Sequence, residues 1–190
     1  MKTVSRIALI AALGFSALGA MAGEITDSQI VGNGAVNSSI GLNSKALQNI
    51  GVAEGNGKIR NSRVVVNGAA NTSVGVSTTA RQNIGHAKDS GEISRTTVLA
   101  TGVSNTAVGA FSSATQDIGF AHGNGKVLDS MVSVIGAKNT AGGLKATAVQ
   151  QIGGASGNGV LRNSTVVSNG AINSAGGILS TAEQRIGVAR

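Results

Sequence analysis

Polar chemistry is scarce in this 190-residue chain: two histidines, eight carboxylates and two sets of evenly spaced amides carry most of it. Catalysis needs a nucleophile, a base or a metal ligand converging on one pocket. The amides are the most regular groups. Gln48, Gln82, Gln116, Gln150 and Gln184 recur every 34 residues, and so do Asn37, Asn71, Asn105, Asn139 and Asn173. A lone buried amide is costly. Stacked copies, however, can give and receive hydrogen bonds between successive amides. Both sets are therefore read as inward ladders and not as ligand-binding groups.

The histidines carry less. His86 and His122 fall in different columns of the 34-residue period, among Val, Phe, Gly, Glu, Lys, Ser and Arg, and read as exposed turn residues. Carboxylates form no column that would serve general acid–base work or bind calcium. The Gly-Asn-Gly turns lack the aspartate of calcium-binding nonapeptide repeats. They also lack the lysine and the strand-to-helix setting of a phosphate loop. Thr72, Thr106 and Thr140 stack at a spacing that could order water, as in ice-binding solenoids, but Val74, Val108 and Gly142 stand two residues on, so no paired array forms. No catalytic residue, cofactor or metal is expected, and the chain does not read as an enzyme.

What must position the amides is the repeat itself. QNIGVAEGNG from Gln48 returns as QNIGHAKDSG from Gln82, QDIGFAHGNG from Gln116 and QQIGGASGNG from Gln150, and QRIGVAR closes the chain. Gly34, Asn37, Gly41, Ala46, Gln48, Ile50, Gly51 and Ala53 are identical in all five copies. A period of this length means stacked units. The column of Ser28 is always Ser or Thr, and that of Ile30 always Ile or Val. Adjacent apolar residues at Val64-Val65-Val66 predict a first strand covered on both faces. Gly34-Ala35 turns the chain, and a second strand follows near Ser38 to Leu42. In the third, Ser44, Ala46, Gln48 and Ile50 alternate with the variable Lys45, Leu47 and Asn49, a period of two. Gly51 and Gly55-Asn56-Gly57 mark turns, and Ile59 begins the return.

Short strands, glycine corners and no helical period predict an all-β fold: a β-solenoid of five repeats, about 26–59, 60–93, 94–127, 128–161 and 162–190. Charges favour one rung per repeat. If residues 34 apart stack, Lys58, Glu92 and Lys126 alternate in sign, Glu54 meets Lys88, and Arg95 meets Asp129. Opposite charges are stabilising as cross-strand neighbours.

Composition agrees. Proline and cysteine are absent, and Phe111 and Phe120 are the only aromatics after residue 22. Absent proline, low charge and much Val, Ile and Thr suit stacked cross-β structure. Outside the first 22 residues, 13 Lys/Arg face 8 Asp/Glu, too dilute a charge for a nucleic-acid footprint. Residues 1–22 read as a secretory signal peptide: Lys2 and Arg6, an apolar run from Ile7 to Ala20, and Ala20-Met21-Ala22 as the cleavage site. A single domain over 23–190 follows, secreted to the extracellular space or cell surface through the periplasm, with no second apolar run to hold it in a membrane.

Gln48-Asn49-Ile50-Gly51-Val52-Ala53 with Gly55-Asn56 resembles the Gly-Asn-Ile-Gly and Asn/Gln-rich repeats of the Fap biofilm-fibre subunits. Ser44, Gln48 and the Gly-Asn turn are similar to curlin repeats, although Ser and Gln are four residues apart instead of six. The resemblance spans Ile25 to Arg190. It implies a secreted functional-amyloid subunit, major or nucleating, whose partners are its own copies, related fibre subunits and outer-membrane secretion machinery. A monomeric adhesin or ice binder is the alternative. The ends carry no polar capping unit, and Glu24 and Asp27 at the start against Arg185 and Arg190 at the finish suggest head-to-tail pairing.

Overall fold

The computed structural model describes residues 23–190 apart from 56, 90 and 188, so the signal-peptide reading of residues 1–22 lies outside the described residues. The first rung of the chain comprises β1 (Glu24–Thr26), β2 (Gln29–Asn33) and β3 (Val36–Ala53). The second comprises β4 (Lys58–Arg60), β5 (Arg63–Asn67) and β6 (Ala70–Ala87). In the third the long strand is interrupted: β7 (Glu92–Ser94), β8 (Thr97–Thr101), β9 (Ser104–Val108) and β10 (Phe111–Ile118). The fourth repeats this as β11 (Lys126–Leu128), β12 (Met131–Ile135), β13 (Lys138–Gly142) and β14 (Lys145–Ile152). The fifth has β15 (Val160–Arg162), β16 (Thr165–Asn169), β17 (Ile172–Gly176) and β18 (Leu179–Ile186).

Every strand pairs in parallel with its equivalent 34 residues away, as in Gln48↔Gln82 and Gln116↔Gln150. One repeat is therefore one rung, and the fold is a five-turn parallel β-solenoid. Three sheets run along its axis, in the orders β1-β4-β7-β11-β15, β2-β5-β8-β12-β16, and the long third sheet that joins β3, β6 and their split successors. The charge column stacks in that register, Glu24, Lys58, Glu92 and Lys126 alternating in sign, with Arg60 Nε 3.2 Å from Glu92 Oε1.

Small apolar side chains fill the interior. One cluster joins the isoleucines equivalent to Ile50 with Val64, Val66 and Ala69 and their counterparts. A second gathers Ala53 and Ile59 with their equivalents, and a third is built from alanines such as Ala80, Ala107 and Ala114. Burying one isoleucine contributes about 1.5–3 kcal/mol, and repetition along the axis replaces the bulk that aromatics would supply. The middle strand departs from expectation: Val64 and Val66 are buried, but Val65 is only partly so and Val167 is 47% exposed. Its sheet is an outer wall with a single covered face.

The first half of the long strand is also inverted from ordinary patterning. Asn71 and Ser73 point inward, while Ile40, Leu42, Val74 and Val76 stand exposed. Glycine explains the close approach there. A Cβ on Gly75 or Gly143 would lie 1.6 Å from the carbonyl oxygen of the glycine one rung earlier, a clash that no relaxation of a side chain removes. The second glycine column turns the chain: Gly85 and Gly119 have φ near +60°, and a Cβ on either would strike Val98 or Val132 within 2.7 Å.

Candidate functional site

The two predicted ladders exist. Asn37 donates to Asn71 Oδ1, Asn71 to Asn105, Asn105 to Asn139 and Asn139 to Asn173, each at 2.8 Å. Each Asn Nδ2 also donates to a backbone carbonyl ten residues on, as Asn105 does to Thr115 O at 2.9 Å, tying the two halves of the long strand together. Those carbonyls accept only, so they fix which end of each amide is nitrogen. The glutamine ladder runs the other way. Gln82 donates to Gln48 Oε1 at 2.6 Å, and Gln116 and Gln150 each donate to the preceding Gln at 2.7 Å. Gln184 completes it on Gln150. Gln82, Gln116 and Gln150 are fully buried yet satisfied.

A third polar column was not legible in advance. Asn49, read as variable and outward, is 6% exposed, and Asn83, Asp117 and Gln151 stack behind it in register. The left-handed turn at Gly51 and its equivalents re-aims the chain just after this column. Column 49 thereby faces the columns of Val52 and Glu54 across a concave corner. Asn83 donates to Asn49 Oδ1 at 2.7 Å, a fragment of a ladder. Asp117 breaks it: both its carboxyl oxygens, Asn83 Oδ1 and Gln151 Oε1 are buried without hydrogen-bond partners among the described residues.

Both histidines converge on this break, which corrects their reading as exposed turn residues. His86, on β6, is 2% exposed, with both ring nitrogens unpartnered among the described residues. His122, in the turn after β10, is half-buried, its ring centroid 5.1 Å from that of His86 and 4.9 Å from that of Phe120. His122 Nε2 lies 3.6 Å from Asp117 Oδ2, and its Nδ1 lies 3.1 Å from Ser156 Oγ. One potential ligand atom from each of His86, Asp117 and His122 lies within 4.8 Å of the other two. Burial pushes His86 down from its ordinary 6.5 to about 4; the Asp117 side chain opposes that shift, and His122, Arg81 and Lys88 reinforce it. The ring is neutral near pH 7. A groove of about 340 Å³, lined by Leu47, Arg81, Asn83, Lys88 and both histidines, opens the cluster to solvent.

No family model, no curated protein and no solved structure matches this chain. The likeness to Fap and curlin repeats thus rests on the repeat motif alone, while the β-solenoid stands on the strand register. The order Ser156, His122, Asp117 imitates a nucleophile–base–acid relay. At 3.6 Å its second link exceeds hydrogen-bonding range, and the relay leaves buried His86 without a role. No helix among the described residues is long and apolar enough to cross a membrane.

Proposed function

We propose that this chain is an exported structural subunit that adds end to end to its own copies, building an amyloid-like fibre in a bacterial biofilm or on a cell surface. Gly41 is the observation that carries this reading. Its equivalents Gly75, Gly109, Gly143 and Gly177 are glycine by necessity, because a Cβ would meet the carbonyl of the preceding rung at 1.5–2.1 Å. At Gly41 a Cβ would meet nothing within 4 Å among the described residues, and no left-handed φ demands glycine. The residue fits a preceding rung supplied by another molecule.

The amide ladders favour the same polarity. Gln184 Oε1 is the acceptor that a following rung's glutamine would use, and Gln48 Nε2 is such a donor. Asn173 Nδ2 and Asn37 Oδ1 match in the same sense. Like ends would set acceptor against acceptor in one column and donor against donor in the other, so the ladders favour head-to-tail addition. In that register Glu54 of one copy falls over Arg190 of the other, whereas Arg185 is taken within its own rung by Glu183. Edge strands offer the pairing template. Exposed Ile40, Leu42, Val74, Val76, Leu144 and Ile178 would make one apolar seam along such a filament, a surface for lateral bundling.

The test is Gly41→Val beside the parent chain, both incubated at micromolar concentration. The parent should form filaments with a reflection near 4.7–4.8 Å along the axis. Gly41→Val should fold to the same circular dichroism spectrum and melting temperature but fail to elongate parent seeds. Persistent monomers of the parent, seeded or not, would overturn the reading and promote a monomeric adhesin.

A further inference from the structure

We propose that His86, Asp117 and His122 form a binding site for one divalent transition cation of the zinc class, stapling the second rung to the third. The proposal stands independently of whether copies assemble. Three observations carry it. The donor set is two imidazoles and a carboxylate, which suits Zn²⁺, Cu²⁺, Ni²⁺ and Co²⁺ and not the all-oxygen preference of Mg²⁺ or Ca²⁺. Two of the three side chains are buried with no polar atom partnered among the described residues: His86 at 2% exposure and Asp117 at 0%. A buried carboxyl and a buried imidazole without hydrogen bonds are costly, and a cation between them would give the carboxyl and one ring nitrogen of His86 a partner. Finally, the third ligand is already oriented. Ser156 Oγ lies 3.1 Å from His122 Nδ1, so an Nδ1–H donated to that hydroxyl leaves the Nε2 lone pair facing Asp117. A hydrogen-bonded second nitrogen is the usual support of a metal-bound histidine.

Geometry sets what must move. The three ligand atoms lie within 4.8 Å of one another, whereas ligands about 2.0–2.1 Å from a tetrahedral zinc are roughly 3.3 Å apart. His86 and Asp117 are held by strands β6 and β10. His122 is half-buried in a turn at the edge of the groove, so a swing of its ring closes the site. The groove leaves a fourth position open to water.

The other copies are not built this way. The positions equivalent to His86 hold Val52, Phe120 and Gly154, and those equivalent to Asp117 hold Asn49, Asn83 and Gln151. One site per chain is therefore expected.

The experiment uses the chain purified without a polyhistidine tag, stripped with EDTA, and titrated with Zn²⁺ by calorimetry and with Co²⁺ by visible absorbance. Binding of one equivalent at micromolar affinity or tighter is expected, with a melting temperature that climbs with zinc concentration and intense d–d bands for Co²⁺. Asp117→Asn and His122→Ala should each abolish that binding, and Ser156→Ala should weaken it about tenfold. Asp117→Asn supplies the missing amide of the third column and keeps the fold, so its loss of binding cannot be laid to unfolding. Absence of Zn²⁺ and Co²⁺ binding by the folded parent would overturn the proposal. So would one-equivalent binding that survives Asp117→Asn and His122→Ala, which would mark an adventitious cation elsewhere.

Discussion

Two polar columns run side by side through this solenoid and behave in opposite ways. The glutamine column is uniform: from Gln82 to Gln150 each amide donates to the copy before it and accepts from the copy after it. The neighbouring column reads Asn49, Asn83, Asp117, Gln151, Arg185, and after one bond between its first two members it fails. Backbone, register and burial are nearly the same in both. What differs is whether adjacent side chains are each both donor and acceptor. A uniform amide column gives every interior amide nitrogen and oxygen a partner within the column and is chemically silent. A column with a carboxyl inserted leaves capacity over, and it is there that the two histidines gather.

The largest test of that contrast removes one member of the uniform column. Gln116→Leu would orphan the Oε1 of Gln82 and the Nε2 of Gln150, both fully buried. At about 1–3 kcal/mol for each stranded group, denaturant melts should show a loss of several kcal/mol. An unchanged urea midpoint would mean that the ladder contributes nothing to stability.

The second test concerns acid, in metal-free protein. His86 is neutral in the folded chain, where its pKa is about 4 against an ordinary 6.5, facing Asp117, His122, Arg81 and Lys88. Between those values the unfolded chain holds the extra proton, so stability is full above about pH 6.5 and falls as pH drops toward about 4. The loss should be roughly 3 kcal/mol. Urea melts in EDTA at about pH 7 and about pH 4 would measure it. His86→Phe, which copies Phe120 of the same column, should flatten this part of the slope; an equal slope in the variant would assign the effect to other groups.

Repairing the broken column should have the opposite sign. Asp117→Asn offers Nδ2 to the unpartnered Asn83 Oδ1 and an oxygen to Gln151, continuing the bond from Asn83 to Asn49. Metal-free protein should gain about 1–3 kcal/mol. A destabilised variant would show that Asp117 is held by the neighbouring histidines more strongly than by the column.

These sites also mark where reading the sequence succeeds. Anything that repeats was legible: rung length, the inward Gln and Asn columns, the glycine corners, and the alternation around Lys58 and Glu92. A stacked fold converts identity at one spacing directly into contact, so the period alone delivers the neighbours. The histidine cluster escaped because its members sit in three columns and two rungs. No one column shows their convergence, and by pattern Asn49 continues the outward alternation of Lys45 and Leu47. Gly51, with φ of +63°, re-aims the chain just beyond it and closes the corner over that column. The signal that was available is variability: His86, Asp117 and His122 sit in three columns that are not uniform, all within 37 residues. The same logic inverts the first half of the long strand, where Asn71 bonds across the interior and sends Val74 and Val76 outward.

A smaller effect separates uniform from broken columns in the backbone. The first corner of every rung places a residue other than glycine in the left-handed region: Asp27, Asn61, Arg95, Asp129 and Asn163, all with φ between 47° and 50°. Asn and Asp tolerate this conformation because their short side chains bond locally, whereas other side chains meet the following carbonyl at a cost of roughly 1–2 kcal/mol. Four rungs obey that preference, and Arg95 does not. The Ser and Thr hydroxyls beside this corner hold it in place regardless, Thr96 donating to Ser94 O at 2.9 Å and its backbone N–H to Ser130 Oγ at 3.2 Å. Strain at Arg95 is therefore carried and not relieved. Arg95→Asn should raise stability by about 1 kcal/mol, read as a small upward shift of the urea midpoint with no change in slope. A drop instead would show that the guanidinium contributes more at this corner, through its stacked neighbour Asp129, than its backbone strain costs.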